Sequence, residues 1–227
     1  VVSEMIASSE QNKEYFERTV RSNLSYKGKR DCRCPTAIQI AGNEKDWMAY
    51  AAKVIYNEGG ELIDINMGCP AKKIVGKLAG SALMKEPLTA LKVIEAVVEA
   101  SDLPVTLKMR LGWDQDNINA KEIAKGAEQC GIQMITVHAR TRNQFFRGKA
   151  QWEKIREIKD EISIPVIVNG DIVDVLSAQL ALKASRADGV MIGRGALGKP
   201  WLIQDISHQI CNNHGVKLNN FVSLDKL

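Results

Sequence analysis

Short apolar runs rich in β-branched residues alternate with longer stretches whose apolar positions recur at helical spacing. The runs fall at residues 1–6, 36–41, 62–67, 104–109, 133–138, 165–169 and 189–193. The stretches between them predict helices at 12–20, 44–57, 87–100, 119–130, 151–160, 172–183 and 200–211. Asp46 and Asn119 stand where N-caps belong, and Gly59 and Gly131 stand just past helix ends. Strands alternating with helices build βαβ units and a parallel sheet, so the fold class is α/β.

Seven such units are visible, and a TIM (β/α)8 barrel has eight. The expectation is therefore such a barrel lacking its first strand, over residues 1–211. A lost strand would expose two sheet edges, a liability in natural proteins, so a seven-stranded open sheet is the structural alternative. Past Cys211 the sequence turns polar, with Asn212, Asn213, Asn219 and Asn220. Residues 212–227 are expected to be a linker or the start of a truncated helical domain.

Composition changes this picture little. The 227 residues are 45% hydrophobic and 26% charged, as in an ordinary globular domain. No apolar run reaches membrane-spanning length, so no membrane partner is expected. The net charge of +4 suits a polyanionic partner without requiring one. The cysteines Cys32, Cys34, Cys69, Cys130 and Cys211 form no even disulfide framework, which suggests a reducing, cytoplasmic setting. Cys32 and Cys34 lack the spacing and the second pair of a zinc site, and no metal is expected.

The chemistry gathers where strands end. Cys69 follows the run 62–67, with Asn66 and Gly68 before it and Pro70, Lys72 and Lys73 after it. A small buried hydrophobe is the plain reading of a free cysteine, but strand ends in α/β proteins are where active sites gather. Other strand ends carry Gln39, Lys108 with Arg110, and His138 with Arg140 and Arg142. The last two loops hold Asn169-Gly170-Asp171 and Gly193-Arg194-Gly195. Glycines there let backbone N–H groups reach phosphate oxygens, and Arg194 adds a bidentate cation. Tight turns alone would also explain the glycines. Together the loops point to a phosphate or a phosphorylated cofactor. The four tryptophans share no spacing and read as packing.

In combination these stretches resemble the bacterial type of the tRNA-dihydrouridine synthase family. The likeness is carried by residues 64–73 with 79–84, then 108–113, 138–142 with 148–150 and Trp152, then 164–171, and 188–197. It implies an FMN-dependent TIM barrel followed by a small helical domain. It implies that uridine in tRNA is reduced to dihydrouridine, with NADPH recharging the flavin. On this resemblance reduced FMN gives hydride to one carbon of the uracil double bond and Cys69 gives a proton to the other. Cys69 would then be a general acid, a role that suits an ordinary, mostly protonated thiol. Asn66 would orient the uracil. Gln39, Lys108 and His138 match positions around the flavin, and Asn169, Gly170, Asp171, Gly193 and Arg194 match its ribityl and phosphate site. Lys72, Lys73, Lys77, Arg140, Arg142, Arg147 and Lys149, interleaved with Phe145 and Phe146, suit a tRNA backbone and an unstacked base. No protein partner is indicated.

On this resemblance the family's first strand, with its Pro-Met-Ala-type flavin contact, and most of the helical domain are expected to be missing from residues 1–227. Weak FMN binding by the fragment and activity in the intact parent are the expectations. Two rival readings stand beside this one. An FMN-dependent dihydroorotate or dihydropyrimidine dehydrogenase would share the phosphate loops but needs no basic rim. A decayed, non-catalytic RNA-binding barrel would have no reason to keep Cys69, Lys108 and Arg194.

Overall fold

A computed structural model of the protein describes residues 2–25, 35–76 and 78–213. Seven parallel strands form one sheet in chain order: β1 (Ile6–Ala7), β2 (Ala37–Ala41), β3 (Leu62–Met67), β4 (Val105–Arg110), β5 (Met134–His138), β6 (Val166–Asn169) and β7 (Gly189–Met191). Helices α1 (Lys13–Ser25) and α2 (Lys45–Asn57) follow β1 and β2. A short α3 (Lys72–Val75) and then α4 (Pro87–Glu99) follow β3. The later helices are α5 (Ala120–Gln129), α6 (Glu153–Lys159), α7 (Val175–Ser185) and α8 (Leu202–Asn213). Strand order never reverses, so right-handed crossovers place every helix on one face of the sheet. The other face can be buried only by curling, which is barrel architecture and not the doubly wound open sheet. β1 and β7 are the outer strands of the order.

Alternation along the strands sorts side chains into two layers. Ile38 and Ile40, Ile63 and Ile65, Leu107 and Met109, and Ile135 and Val137 belong to the buried apolar cluster. The alternate positions are polar, and register aligns them across strands. Gln39 pairs with Asp64 and Asp64 with Thr106. Asn66 pairs with Lys108 and Lys108 with Thr136. Arg110 pairs with His138 and His138 with Asn169. Residues paired in a parallel ladder share a face, so the inside of the curled sheet is a stack of polar rows.

Several boundaries differ from the sequence reading for identifiable reasons. The first strand is expected over 1–6, but β1 is two residues long with an isolated bridge between Val2 and Ala37. Ser3 Oγ accepts the Gln39 N–H at 3.0 Å, so a side chain replaces the ladder there. α1 runs five residues past the expected end at 20, because Leu24 continues the buried stripe of Phe16 and Val20. α7 starts later than 172, where Asp174 and Ser177 form a reciprocal capping box. Asp46 is not an N-cap. Glu44 holds that place and Asp46 lies in the first turn. Asn119 is the N-cap of α5 but makes no side-chain cap bond, because its Nδ2 donates to the Met84 carbonyl at 2.7 Å. Gly59 and Gly131 do follow the ends of α2 and α5 with positive φ.

α8 runs to Asn213, past the expected boundary at 211. The rest of the polar C-terminal segment lies outside the described residues, as do Cys32, Cys34 and Lys77.

Candidate active site

The loop after β3 is clamped from both sides. Asn66 Oδ1 accepts the backbone N–H groups of Gly68 at 3.0 Å and Cys69 at 2.9 Å. The Cys69 carbonyl accepts Ser81 Oγ at 2.8 Å and Ser81 N at 3.1 Å. Gly80 permits that approach, since a Cβ there would sit 2.9 Å from the Cys69 carbonyl oxygen and its φ is +59°. Cys69 is thus held as a half-buried free thiol at a strand end.

A cavity of about 450 Å³ opens beside it, at the carboxyl ends of β3 to β7. Asn66, Cys69, Lys108, His138, Asn169, Gly170, Asp171, Gly193 and Arg194 all line it. Of the residues named from the sequence, the cavity brings together the thiol, the strand-end polar groups and both glycine loops. Gln39 lies one layer deeper, bonded to Asn66 and Asp64. Lys72 is exposed on α3, outside the cavity lining, and Lys73 belongs to the same helix. Arg142 also stands outside it. Its guanidinium packs against Trp113 at 4.6 Å and Phe145 at 4.9 Å, and its Nη1 donates to Asn143 at 3.0 Å.

Arg140 departs most from its expected place on a tRNA-facing rim. It is buried and acts as a brace. Its Nη2 donates to both carboxylate oxygens of Asp171, at 2.8 and 2.6 Å, and to the Gly148 carbonyl at 2.6 Å, while Nε reaches the Arg147 carbonyl at 3.1 Å. Asp171 Oδ2 also accepts Ala150 N at 2.8 Å. The pair therefore ties the loop after β5 to the loop after β6. Trp152 strengthens the tie, its indole N–H donating to the Gly170 carbonyl at 2.9 Å.

Arg110 belongs to the site, although from the sequence it stands only as a strand-end charge with no role assigned. It lines the cavity, is buried, and donates to the carbonyls of Gly68 (2.7 Å), Thr141 (2.9 Å) and Phe145 (2.9 Å). Its spacing of two from Lys108 was the available signal, since both must share a strand face. Phe146, expected from the sequence beside a tRNA base, also lines the cavity, with Arg194 at 4.3 Å and Arg110 at 5.6 Å from its ring centroid.

The electrostatics favour an anion. Lys108, Arg110, Arg140 and Arg194 line the cavity against one carboxylate, Asp171. Burial pushes Lys108 down to about 8 and Arg110 down to about 10. Lys108 Nζ donates to Asn169 Oδ1 at 3.2 Å, and Asn169 Nδ2 donates to the Met191 carbonyl at 2.8 Å. The two Gly193-loop glycines differ in kind. A Cβ on Gly195 would come within 2.2 Å of the Ile172 carbonyl oxygen, so the fold needs that glycine. A Cβ on Gly193 would meet nothing within 4 Å, so packing does not. Gly193 instead leaves the cavity wall open to a ligand.

His138 is held neutral. Burial first, then Arg110, Lys108, Arg140 and Arg194, push its pKa down to about 2. The unfolded chain takes up a proton near pH 6.5 that the fold refuses. The folded state is therefore favoured above that pH and loses stability as pH falls through it. The expected slope from this group approaches about 1.4 kcal/mol per pH unit below pH 6. Urea melts at pH 7 and pH 5 check it: His138→Gln should lose less stability than the unsubstituted protein. Equal losses would show that His138 titrates normally.

A parallel barrel with a cation-rich cavity at the carboxyl ends of its strands, and a thiol on its wall, defines the class: a (β/α) barrel with its candidate site on the carboxyl face. Residues 1–222 match the dihydrouridine synthase (Dus) family, and the chain belongs to it. A probable tRNA-dihydrouridine synthase of Rhodobacter capsulatus is 50% identical over 220 residues, covering 96% of this chain and 66% of its own. Its counterpart in Rhizobium leguminosarum is 52% identical over 201 residues, covering 88% and 62%. tRNA-dihydrouridine synthase B of Proteus vulgaris is 51% identical over 174 residues, covering 77% and 54%. This chain thus spans 66% and 62% of the length of the first two relatives. Among solved structures, a FabK mutant from Thermotoga maritima aligns with a TM-score of 0.52 at 16% identity, over 79% of this chain and 50% of that one. A putative mandelate racemase/muconate lactonizing enzyme from Labrenzia alexandrii aligns at 0.54 and 13%, over 77% and 42%. These two speak for the fold alone.

Proposed function

We propose that the chain is the catalytic barrel of a cytoplasmic tRNA-dihydrouridine synthase that uses FMN recharged by NADPH. The observation that carries the reading is the placement of Cys69 on the wall of the same cavity that gathers Lys108, Arg110, Arg194 and the two glycine loops. Family membership supports the substrate.

The residues present fit FMN. Arg194, with the loops at 169–171 and 193–195, would hold its phosphate and ribityl chain, because cations and an unblocked glycine face that end of the cavity. Lys108 and His138 line its floor. Reduced FMN, recharged by NADPH, would supply hydride to one carbon of the uracil double bond. Cys69 donates the thiol proton to the other carbon and is reprotonated afterwards from solvent. Asn66 Nδ2, with one hydrogen committed to Gln39, keeps the second for a uracil carbonyl. Lys72 and Arg142 stand outside the cavity, and together with Lys73 they would meet a tRNA backbone. Arg140 is not assigned to tRNA, since it is buried against Asp171.

The test is a visible absorption spectrum of the full-length protein, followed by NADPH with and without unmodified tRNA. A flavin spectrum that bleaches with NADPH and recovers anaerobically only with tRNA is the expected result. Recovery with a free pyrimidine instead would make it a pyrimidine dehydrogenase, and no flavin at all would overturn the reading.

A further inference from the structure

A chain of side-chain hydrogen bonds on β2 and β3 ends at the cysteine. Asp64 Oδ2 accepts Gln39 Nε2 at 2.6 Å. Gln39 Oε1 accepts Asn66 Nδ2 at 2.8 Å. Asn66 Oδ1 then accepts the N–H groups of Gly68 and Cys69. The other Asp64 oxygen accepts the Thr106 hydroxyl at 2.7 Å. Asp64, Gln39 and Asn66 are all buried, so water does not compete for these groups.

An isolated amide can face either way, but these two are constrained from both ends. An ionised carboxylate only accepts, so Gln39 must turn its NH2 towards Asp64. The Gln39 carbonyl then faces Asn66, which must answer with its own NH2. The Asn66 carbonyl is left for backbone N–H groups, which only donate. The directions agree from one end of the chain to the other.

We infer that Asp64 is a positioning residue, a buried acceptor that fixes the orientation of Gln39 and Asn66 and through them the Cys69 peptide on the cavity wall. The inference rests on the reading of Cys69 as the reacting thiol. Burial pushes the Asp64 carboxyl above its ordinary range, against the bonds from Thr106 and Gln39 and the nearby Lys108 ammonium, and both of its oxygens nevertheless stand as acceptors. A protonated Asp64 could donate to Gln39 Oε1, and the backbone N–H groups of Gly68 and Cys69 alone would then hold the direction of the chain. Reversal would turn the Asn66 NH2 against two backbone donors and unclamp the loop.

The experiment reads the loop directly and involves no turnover. Full-length protein is treated with iodoacetamide, and alkylation of the Cys69 peptide is followed by mass spectrometry beside a thermal melt. Asp64→Asn replaces the acceptor-only group by an amide of the same shape. Alkylation of Cys69 should accelerate about tenfold, the ratio set by one lost hydrogen bond. The double variant Asp64→Asn/Gln39→Glu moves the acceptor-only group one place along, so that Asn66 again meets an acceptor, and should restore protection. An Asp64→Asn rate equal to that of the unsubstituted protein overturns the inference. So does acceleration that the double variant fails to reverse, which would leave Asp64 a packing residue only. If Asp64→Asn does not fold, a double variant that folds and protects Cys69 supports the inference, and one that does neither overturns it. Because no tRNA is present, failure of the synthase reading would show only in the flavin test above.

Discussion

Cys69→Ala in the full-length protein should cut dihydrouridine formation by about 10²–10⁴-fold, the usual contribution of a positioned general acid. The loss should fall on the step after substrate binding. The Asn66 clamp bonds the backbone of Cys69 and not its sulfur, so the loop should survive the change. Flavin content and tRNA affinity should therefore stay close to those of the unsubstituted protein. Single-turnover reoxidation of reduced enzyme by tRNA, read at the flavin absorbance, separates chemistry from binding. Undiminished dihydrouridine output would remove Cys69 from the mechanism and return it to the status of a small half-buried side chain.

Arg140→Ala should produce the largest loss of stability. The side chain is 2% exposed and Asp171 is 34% exposed. Removing one member of a buried pair costs about 3–5 kcal/mol, because the other is left uncompensated. Partial hydration of Asp171 places the expectation near the lower end, about 3 kcal/mol. The carbonyls of Gly148 and Arg147 also lose their donors. Urea melts with an unchanged slope would show this as a lower midpoint. Arg140→Lys should recover only part of it, since one ammonium does not reproduce a fork serving Asp171 and two carbonyls. A loss under about 1 kcal/mol would show that the brace is not needed by the fold.

The two arginines after β5 show where sequence reading stops. Strands were legible because apolar runs of the right length alternate with helical patterns, and the carboxyl ends of such strands are the active face whatever the side chains. That logic named Cys69, Lys108, His138 and both glycine loops, which the fold places around one cavity. Loops carry no period, so the sequence does not show that Arg140 turns to Asp171 while Arg142 packs on Trp113 and Phe145. Trp152 read as packing for the same reason, although its indole N–H holds the Gly170 loop. Arg110 was within reach from its spacing to Lys108. The Asp64 to Cys69 chain was not, because it depends on the register of β2 against β3, which a single sequence leaves unspecified.

The polar rows inside the barrel bear on how the sheet finds its alignment. A slip of β3 by one residue would drive Asp64 and Asn66 into the layer packed against the helices and bring Ile63 and Ile65 among amides and cations. An unpartnered carboxylate in that apolar layer would cost several kcal/mol, a substantial share of a domain's whole stability. Mispaired sheets are thereby penalised by the polar groups that lie on the cavity wall and in the layer beneath it. During folding, those groups act as a key that admits one alignment of neighbouring strands, and substitutions made to alter ligand preference would also loosen that proofreading.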